Sequence, residues 1–178
     1  ESYNLIVSHT QKVAKYFNIN KPTALKIKRD HQETEVIPII RGLIADMLGS
    51  GHPMPILDVR NGPEEMEFLN RNDLDNLSER GTASPDHVIR IKAKPLVLRK
   101  DIWTRGRAAI KDVLLKYEEE YRSMFDRQAP NAEQPKIILP SDPKTIWMEG
   151  VGLIGWGVNA QAASIAGDLA VQNARVRA

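Results

Sequence analysis

The sequence contains no cysteine, few aromatic residues and no long apolar run. Without cysteine, none of the 178 residues can form a disulfide or supply a thiolate. Aromatic residues make up 6% of the chain, and the basic clusters at residues 26–30 and 90–94 contain none on which nucleic-acid bases could stack. No apolar segment approaches the roughly 20 residues that a membrane-spanning helix needs. We therefore expect neither a nucleic-acid partner nor a membrane partner.

The sequence also has no large excess of positive or negative charge. Lysine and arginine number 25 against 23 acidic residues, so the net charge is only +2. Hydrophobic residues make up 42% and charged residues 27% of the chain, as is usual for globular proteins. The length suits one domain, or one domain plus a fragment of another. No signal peptide is visible at the start, which favours a cytoplasmic location.

Both ends of the sequence lie within helical patterns. Tyr3, Ile6, Val13 and Phe17 recur at helical spacing along the first 17 residues, and the last residues are still periodic where the sequence stops. We therefore expect a piece of a longer polypeptide. Residues 1–30 would be the last helix and linker of a preceding part, and residues 31–178 a domain of their own.

Apolar periodicity and turn residues predict a mixture of helices and strands. The predicted helices span residues 33–48, 63–70, 73–79, 101–127 and 159 onward. The predicted strands span residues 54–60, 95–98, 145–148 and 153–157, and residues 81–94 are predicted as a loop that leads into a possible strand. Too few βαβ repeats are present for a doubly wound parallel sheet, so we expect a layered α/β/α domain with a mixed, largely antiparallel sheet.

The stretch KTIWMEGVGLIGWG contains three glycines, Gly150, Gly152 and Gly155, at G-x-G-x-x-G spacing. One interpretation is a nicotinamide-binding turn, which requires a strand, the glycines and then a helix that begins within the motif. The first convincing helix cap, however, is Asn159. The alternative is a β-hairpin in which TIWM and LIGWG are antiparallel strands, and this spacing favours the hairpin.

The hairpin followed by an amphipathic helix resembles the closing unit of the class II aldolase/adducin family. The resemblance implies that the turn residue at Val151 stands where the family has a histidine ligand of its catalytic zinc. It also implies that His87 and Ile89 occupy the positions of the family's H-x-H pair. Valine and isoleucine cannot bind zinc. We therefore expect no metal site and no catalytic residue in this segment.

Residues 62–98, together with the later GVGLIGWG, resemble the central region of bifunctional aldolase/short-chain dehydrogenases of the rhamnulose-1-phosphate aldolase/alcohol dehydrogenase type. The most specific part is TASPDHVIRIK, residues 82–92. The resemblance implies a sugar-metabolising parent enzyme with zinc and NAD(P), neither of which this segment would hold alone. The segment would be a degenerate aldolase-like domain that organises flanking aldolase and dehydrogenase domains, in a homo-oligomer. A nicotinamide-binding role for the three glycines is the alternative.

Four neighbouring residues are candidates for binding an anionic substrate, and three tryptophans are candidates for packing. Asp86, His87, Arg90 and Lys92 could form an anion-facing edge, and a solvated turn is the competing interpretation. No G-x-S-x-G motif is present, so no nucleophilic serine can be nominated.

The tryptophans at positions 147 and 156 could pair across the hairpin, and the tryptophan at position 103 could meet another subunit.

Overall fold

The structure is a computed structural model that describes residues 8, 9 and 12 and residues 33–178. The three isolated residues are helical. The remainder of the helix predicted over residues 1–17, and the linker after it, lie outside the described residues. The proposed division of the chain near residue 30 therefore stays a prediction.

Helices and strands alternate irregularly along the described chain. Its helices are α1 (Glu33–Leu48), α2 (Pro63–Leu69), α3 (Leu74–Ser78), α4 (Pro85–Ile91), α5 (Lys100–Trp103), α6 (Arg107–Gln128) and α7 (Ala160–Arg177). Its strands are β1 (Ile56–Arg60), β2 (Leu96–Leu98), β3 (Thr145–Met148) and β4 (Gly152–Gly157). A short 3₁₀ turn, Ala129–Asn131, follows α6. Within the described residues, no helix is long and apolar enough to cross a bilayer.

The four strands form one mixed sheet in the order β1-β4-β3-β2. Strand β4 is antiparallel to both of its neighbours, whereas β2 and β3 are parallel. In the hairpin, Thr145 lies opposite Gly155 and Met148 lies opposite Gly152. The prediction of a mixed, largely antiparallel sheet is confirmed.

Both faces of the sheet are covered by helices, which gives the predicted α/β/α layering. Helices α1 and α6 supply apolar side chains to the core on one face, together with Ile146, Ile154 and Trp156 of the sheet. Helices α2, α3 and α7 supply the core on the other face, together with Trp147 and Leu153. Burial of these two apolar faces is the main force that holds the layers together.

Two of the tryptophans lie on opposite faces of the sheet and do not pair across the hairpin as predicted. The hairpin register places Trp147 opposite Leu153, three residues from Trp156, and side chains alternate between faces along a strand. The Trp147 ring instead meets Phe68 edge to face, with 4.9 Å between the ring centroids. Trp103 is buried within this domain, where its indole nitrogen donates to the Glu149 carbonyl at 3.0 Å.

Two predictions of secondary structure were wrong. The segment predicted as a loop leading into a strand forms helix α4, because Ser84 takes the N-cap position with an extended backbone, Pro85 takes the first helical position and Asp86 lies in the first turn. The long helix predicted from residue 101 is divided into α5 and α6. Gly106, with a φ of 89°, lies between them in a conformation that a helix cannot contain.

Candidate functional site

The hairpin turn lies at the carboxyl end of β3, where the resemblance to class II aldolases implies the position of a metal ligand. Gly150 has a φ of 79°, and the Val151 amide donates to the Met148 carbonyl at 3.1 Å to close the turn. The Val151 side chain is fully buried in the core beneath α1 and α6. This residue therefore serves packing and presents no ligand atom.

The carboxylate in the turn is already engaged by the neighbouring loop. Glu149 Oε2 accepts a hydrogen bond from the Lys100 amide at 3.1 Å and lies 3.8 Å from Arg99 Nη1. Arg99 in turn bonds Asp75 Oδ2 through Nη2 at 2.7 Å. These contacts hold the turn against the start of α5 and against α3. The Glu149 carboxylate therefore has a structural role.

Gly155 of the motif and Gly157, two residues beyond it, let helix α7 lie directly on strand β4. A Cβ atom at Gly155 would stand 2.2 Å from the Gly167 amide nitrogen, and one at Gly157 would stand 2.5 Å from the Ala163 nitrogen. Ala166 and Ala170 continue the small-residue face of α7. The glycines of β4 are therefore required by the close approach of two backbones.

This geometry does not support the nicotinamide interpretation of Gly150, Gly152 and Gly155. The backbone at Gly150–Gly152 joins two antiparallel strands, and α7 begins only after β4, where the Asn159 side chain accepts from the Ala162 amide at 2.8 Å. A dinucleotide fingerprint needs the helix to start at the glycines, so that its amino end faces the pyrophosphate. That strand-to-helix turn is not formed here.

His87 and Asp86 lie on helix α4, at the other end of the sheet. The His87 ring is buried, and its Nδ1 lies 2.8 Å from the Ser84 hydroxyl. Its Nε2 is also buried and has no hydrogen-bond partner among the described residues. Asp86 is exposed in the first turn of the helix, where its charge complements the helix dipole.

Lys92 is the least expected of the candidate residues, because the structure buries it. It ends α4 with a φ of 66°, a left-handed conformation that favours glycine and costs about 1–3 kcal/mol in other residues. Only 5% of the residue is exposed. Its ammonium group donates to the Pro140 carbonyl and lies 4.0 Å from the centroid of the Tyr121 ring. Burial lowers the pKa of Lys92 to about 8.

Lys92 bonds to a loop of four consecutive residues, which we call the 140–143 segment. Each of the four residues makes a contact that fixes the segment in place. Besides the Pro140 carbonyl, the Ser141 hydroxyl donates to Glu118 Oε1 at 2.7 Å. The buried Asp142 pairs with Lys144 at 2.8 Å, and the Pro143 carbonyl accepts from the Trp156 indole at 2.6 Å. The hydrogen bonds from Ser141 and Arg122 lower the pKa of Glu118. Lys92 is therefore part of an anchor for this segment.

The four residues predicted as an anion-facing edge do not come together as one site. Arg90 is exposed, Asp86 is exposed, and Lys92 and His87 are buried. Arg90 and Lys92 are two residues apart, but Lys92 lies just beyond the end of the helix and its ammonium group turns toward Pro140. The residues that do surround Lys92, notably Asp142 and Tyr121, lie 29 or more positions along the chain and carried no local sequence signal.

The surface clefts that the described residues form include the following two. One of about 470 Å³ is lined by α2 and α7, and its charged residues are partly engaged, Arg175 with Glu64 at 3.0 Å and Arg71 with Asp73 at 2.8 Å. The other, of about 290 Å³, lies between α4 and the first half of α7 and contains Arg90 and Lys144.

Residues suited to a metal ion are not assembled anywhere in the described part of the chain. No three histidine, aspartate or glutamate side chains gather there in a group that could hold an ion. At the hairpin turn, Val151 has no donor atom and Glu149 is bound by its neighbours. The residues present do not fit the zinc site of a class II aldolase, which takes three protein ligands and an open position.

Comparison with known proteins identifies a family and one curated relative for this chain. A family model described as "Aldolase class II, second domain" matches residues 31–178. The protein named "Uncharacterized oxidoreductase YuxG" of Bacillus subtilis (strain 168) is 25% identical over 146 residues, which cover 80% of this chain and 20% of that protein. The chain thus spans about a fifth of the length of the curated relative that it matches. No solved structure matches the chain.

Proposed function

The chain belongs to the family of class II aldolase second domains, and from that premise we propose that it is a non-catalytic, aldolase-like domain of a longer sugar-metabolising enzyme. Its role would be to position an aldolase domain and a short-chain dehydrogenase domain of the same polypeptide. The observation that carries this proposal is the fully buried valine of the hairpin turn, at the position where the resemblance to class II aldolases implies a metal-binding histidine.

The packing of the turn and of β4 supports a structural role. Core side chains and close backbone contacts occupy the positions that either chemistry would use, the turn for zinc and the glycines for a dinucleotide. A domain with this organisation retains a rigid α/β/α framework and two broad helical faces. Such a framework is suited to holding other domains.

The matched relative supports the proposal that this chain is part of a longer enzyme. The relative is named as an oxidoreductase, and the match to this chain covers a fifth of the relative's length. By analogy, we expect the flanking parts of the parent of this chain to hold zinc and NAD(P), and we expect the parent to be a cytoplasmic homo-oligomer. The identity of the sugar phosphate would be set by the aldolase domain.

The proposal can be tested in the polypeptide encoded by the complete gene. We expect the His87→Ala substitution to leave kcat within about twofold for both aldol cleavage and NAD(P)-dependent oxidation, because His87 touches neither reaction. Loss of a general acid or base usually lowers the rate by about 10²–10⁴-fold. The matched control is His52→Ala, which removes an exposed loop histidine.

Circular dichroism of each variant would show that it is folded. A folded His87→Ala enzyme that has lost either activity by 10²-fold or more, while the His52→Ala enzyme retains both, would contradict the proposal. It would place a catalytic group within this domain.

A further inference from the structure

The smaller of the two clefts has the composition of a binding site for a small organic anion. It is lined by Arg90 and Ile91 of α4, by Lys144 before β3, and by residues of the end of β4 and the first half of α7. Its volume of about 290 Å³ lies just below the usual range of small-ligand sites, about 300–1000 Å³, so only a compact ligand would fit. No carboxylate is among its lining residues.

The two cations of the cleft differ in how firmly they are held. Lys144 is positioned by the buried Asp142 at 2.8 Å and lies 3.7 Å from the centroid of the Trp156 ring. Arg90 is exposed, and its side chain makes no hydrogen bond or ion pair with any described residue. Because Asp142 offsets the charge of Lys144, Arg90 would supply the unpaired positive charge and Lys144 a positioned hydrogen-bond donor for an anion.

The rest of the cleft is apolar. Its walls are formed by side chains of α4, the end of β4 and α7, namely Ile91, Val158, Ile165 and Leu169. Val158 and Ile165 are partly exposed, at 49% and 39%, so a ligand that covers them gains hydrophobic contact. The first turn of α7 also borders the cleft through Ala162, where the helix dipole adds a modest favourable potential for negative charge.

We propose that the cleft between α4 and α7 binds a small organic anion, with its phosphate or carboxylate between Arg90 and Lys144 and its apolar body against Ile165 and Leu169. This site goes beyond the proposed organising role and does not depend on it. A phosphate monoester with a compact apolar group has the matching chemistry, and phenyl phosphate is a suitable probe.

The test is calorimetric titration of the 178-residue protein with phenyl phosphate at low ionic strength, above the second pKa of a phosphate monoester at about 6. We expect one molecule to bind per chain, with inorganic phosphate and phenol each binding at least about tenfold more weakly because each lacks one half of the contacts. Amide signals of Gly157 and Ala162 should shift during a parallel NMR titration, which locates the ligand.

Two variants should weaken binding at least about tenfold. Arg90→Gln removes an exposed cation, and Ile165→Glu places a carboxylate in the apolar wall. Neither residue is a fully buried part of the core, so both variants should fold. The matched control is Arg105→Gln, which removes an exposed arginine paired with Asp101 and should bind as the parent does.

Three results would overturn the proposal. These are the absence of saturable binding at millimolar phenyl phosphate, equal affinity for inorganic phosphate, or equal weakening by Arg90→Gln and Arg105→Gln.

Discussion

The Gly155→Ala substitution is expected to lower the free energy of unfolding by about 3 kcal/mol, at the upper end of the usual cost of overpacking. The added methyl group would stand 2.2 Å from the Gly167 nitrogen and 2.6 Å from the Ala166 carbonyl carbon. Both atoms belong to the backbone of α7, so no side chain can turn aside. Helix α7 would have to move away from β4, and its contacts with Leu153 and Trp147 would be lost.

Urea unfolding followed by circular dichroism measures this effect. The matched control is Gly42→Ala, because Gly42 lies inside helix α1 and a methyl group there meets only the flexible end of the Arg107 side chain at 3.3 Å. Replacing a glycine in a helix by alanine usually stabilises by about 0.5–1 kcal/mol. A Gly155→Ala protein as stable as the parent would show that α7 does not rest on β4 as described.

The second large effect concerns pH and Lys92. Its pKa in the folded protein is about 8, lowered by burial from the ordinary value of 10.5. Between these values the unfolded chain binds more protons than the folded protein, so the free energy of unfolding rises with pH. At 1.36 kcal/mol per pH unit for a full proton, we expect Lys92 to contribute a gain of about 1–2 kcal/mol between pH 8 and about 9.5.

The Lys92→Met variant provides the comparison, since it removes the titrating group and retains an unbranched apolar side chain. Its stability should lack the additional rise between pH 8 and about 9.5. Tyr117 and Tyr121 have raised pKa values because they are buried, and they lower stability only above about pH 10, where unfolded tyrosine ionises. Parallel pH profiles of the two proteins in urea unfolding would contradict the burial of the Lys92 ammonium group.

The sequence was informative where local patterns agree with tertiary packing. The hairpin and the helix after it were predicted because the turn glycines, two short apolar strands and the Asn159 cap follow one another without interruption. These features are local, and the structure preserves them.

The wrong predictions concern helix α4 and the hairpin tryptophans, where the local sequence pattern is weak. Ser84, Pro85 and Asp86 are a helix-start signature, but α4 buries only His87 and Ile91, which is too little periodicity to recognise. Pairing of the two hairpin tryptophans depends on the exact register of β3 and β4, which the sequence does not specify. Since Trp147 lies opposite position 153, a residue at position 156 must face the other way.

The burial of Lys92 could not be predicted from nearby residues. Its acceptor, the Pro140 carbonyl, is 48 positions away, and the rings and charges around it come from α6 and the 140–143 segment. A lysine at the end of a helix ordinarily extends into solvent. Only the path of the chain after α6 brings these groups together, and no local pattern specifies that path.

The central claim is that this aldolase-like domain has no catalytic metal site, and zinc analysis tests it most directly. The 178-residue protein would be incubated with excess zinc, dialysed, and measured by inductively coupled plasma mass spectrometry alongside its His87→Ala variant. We predict that both retain far less than about one zinc per chain, because Val151 offers no donor atom and Glu149 is already bound. Retention of about one zinc per chain by the parent, and its loss in the variant, would contradict the account.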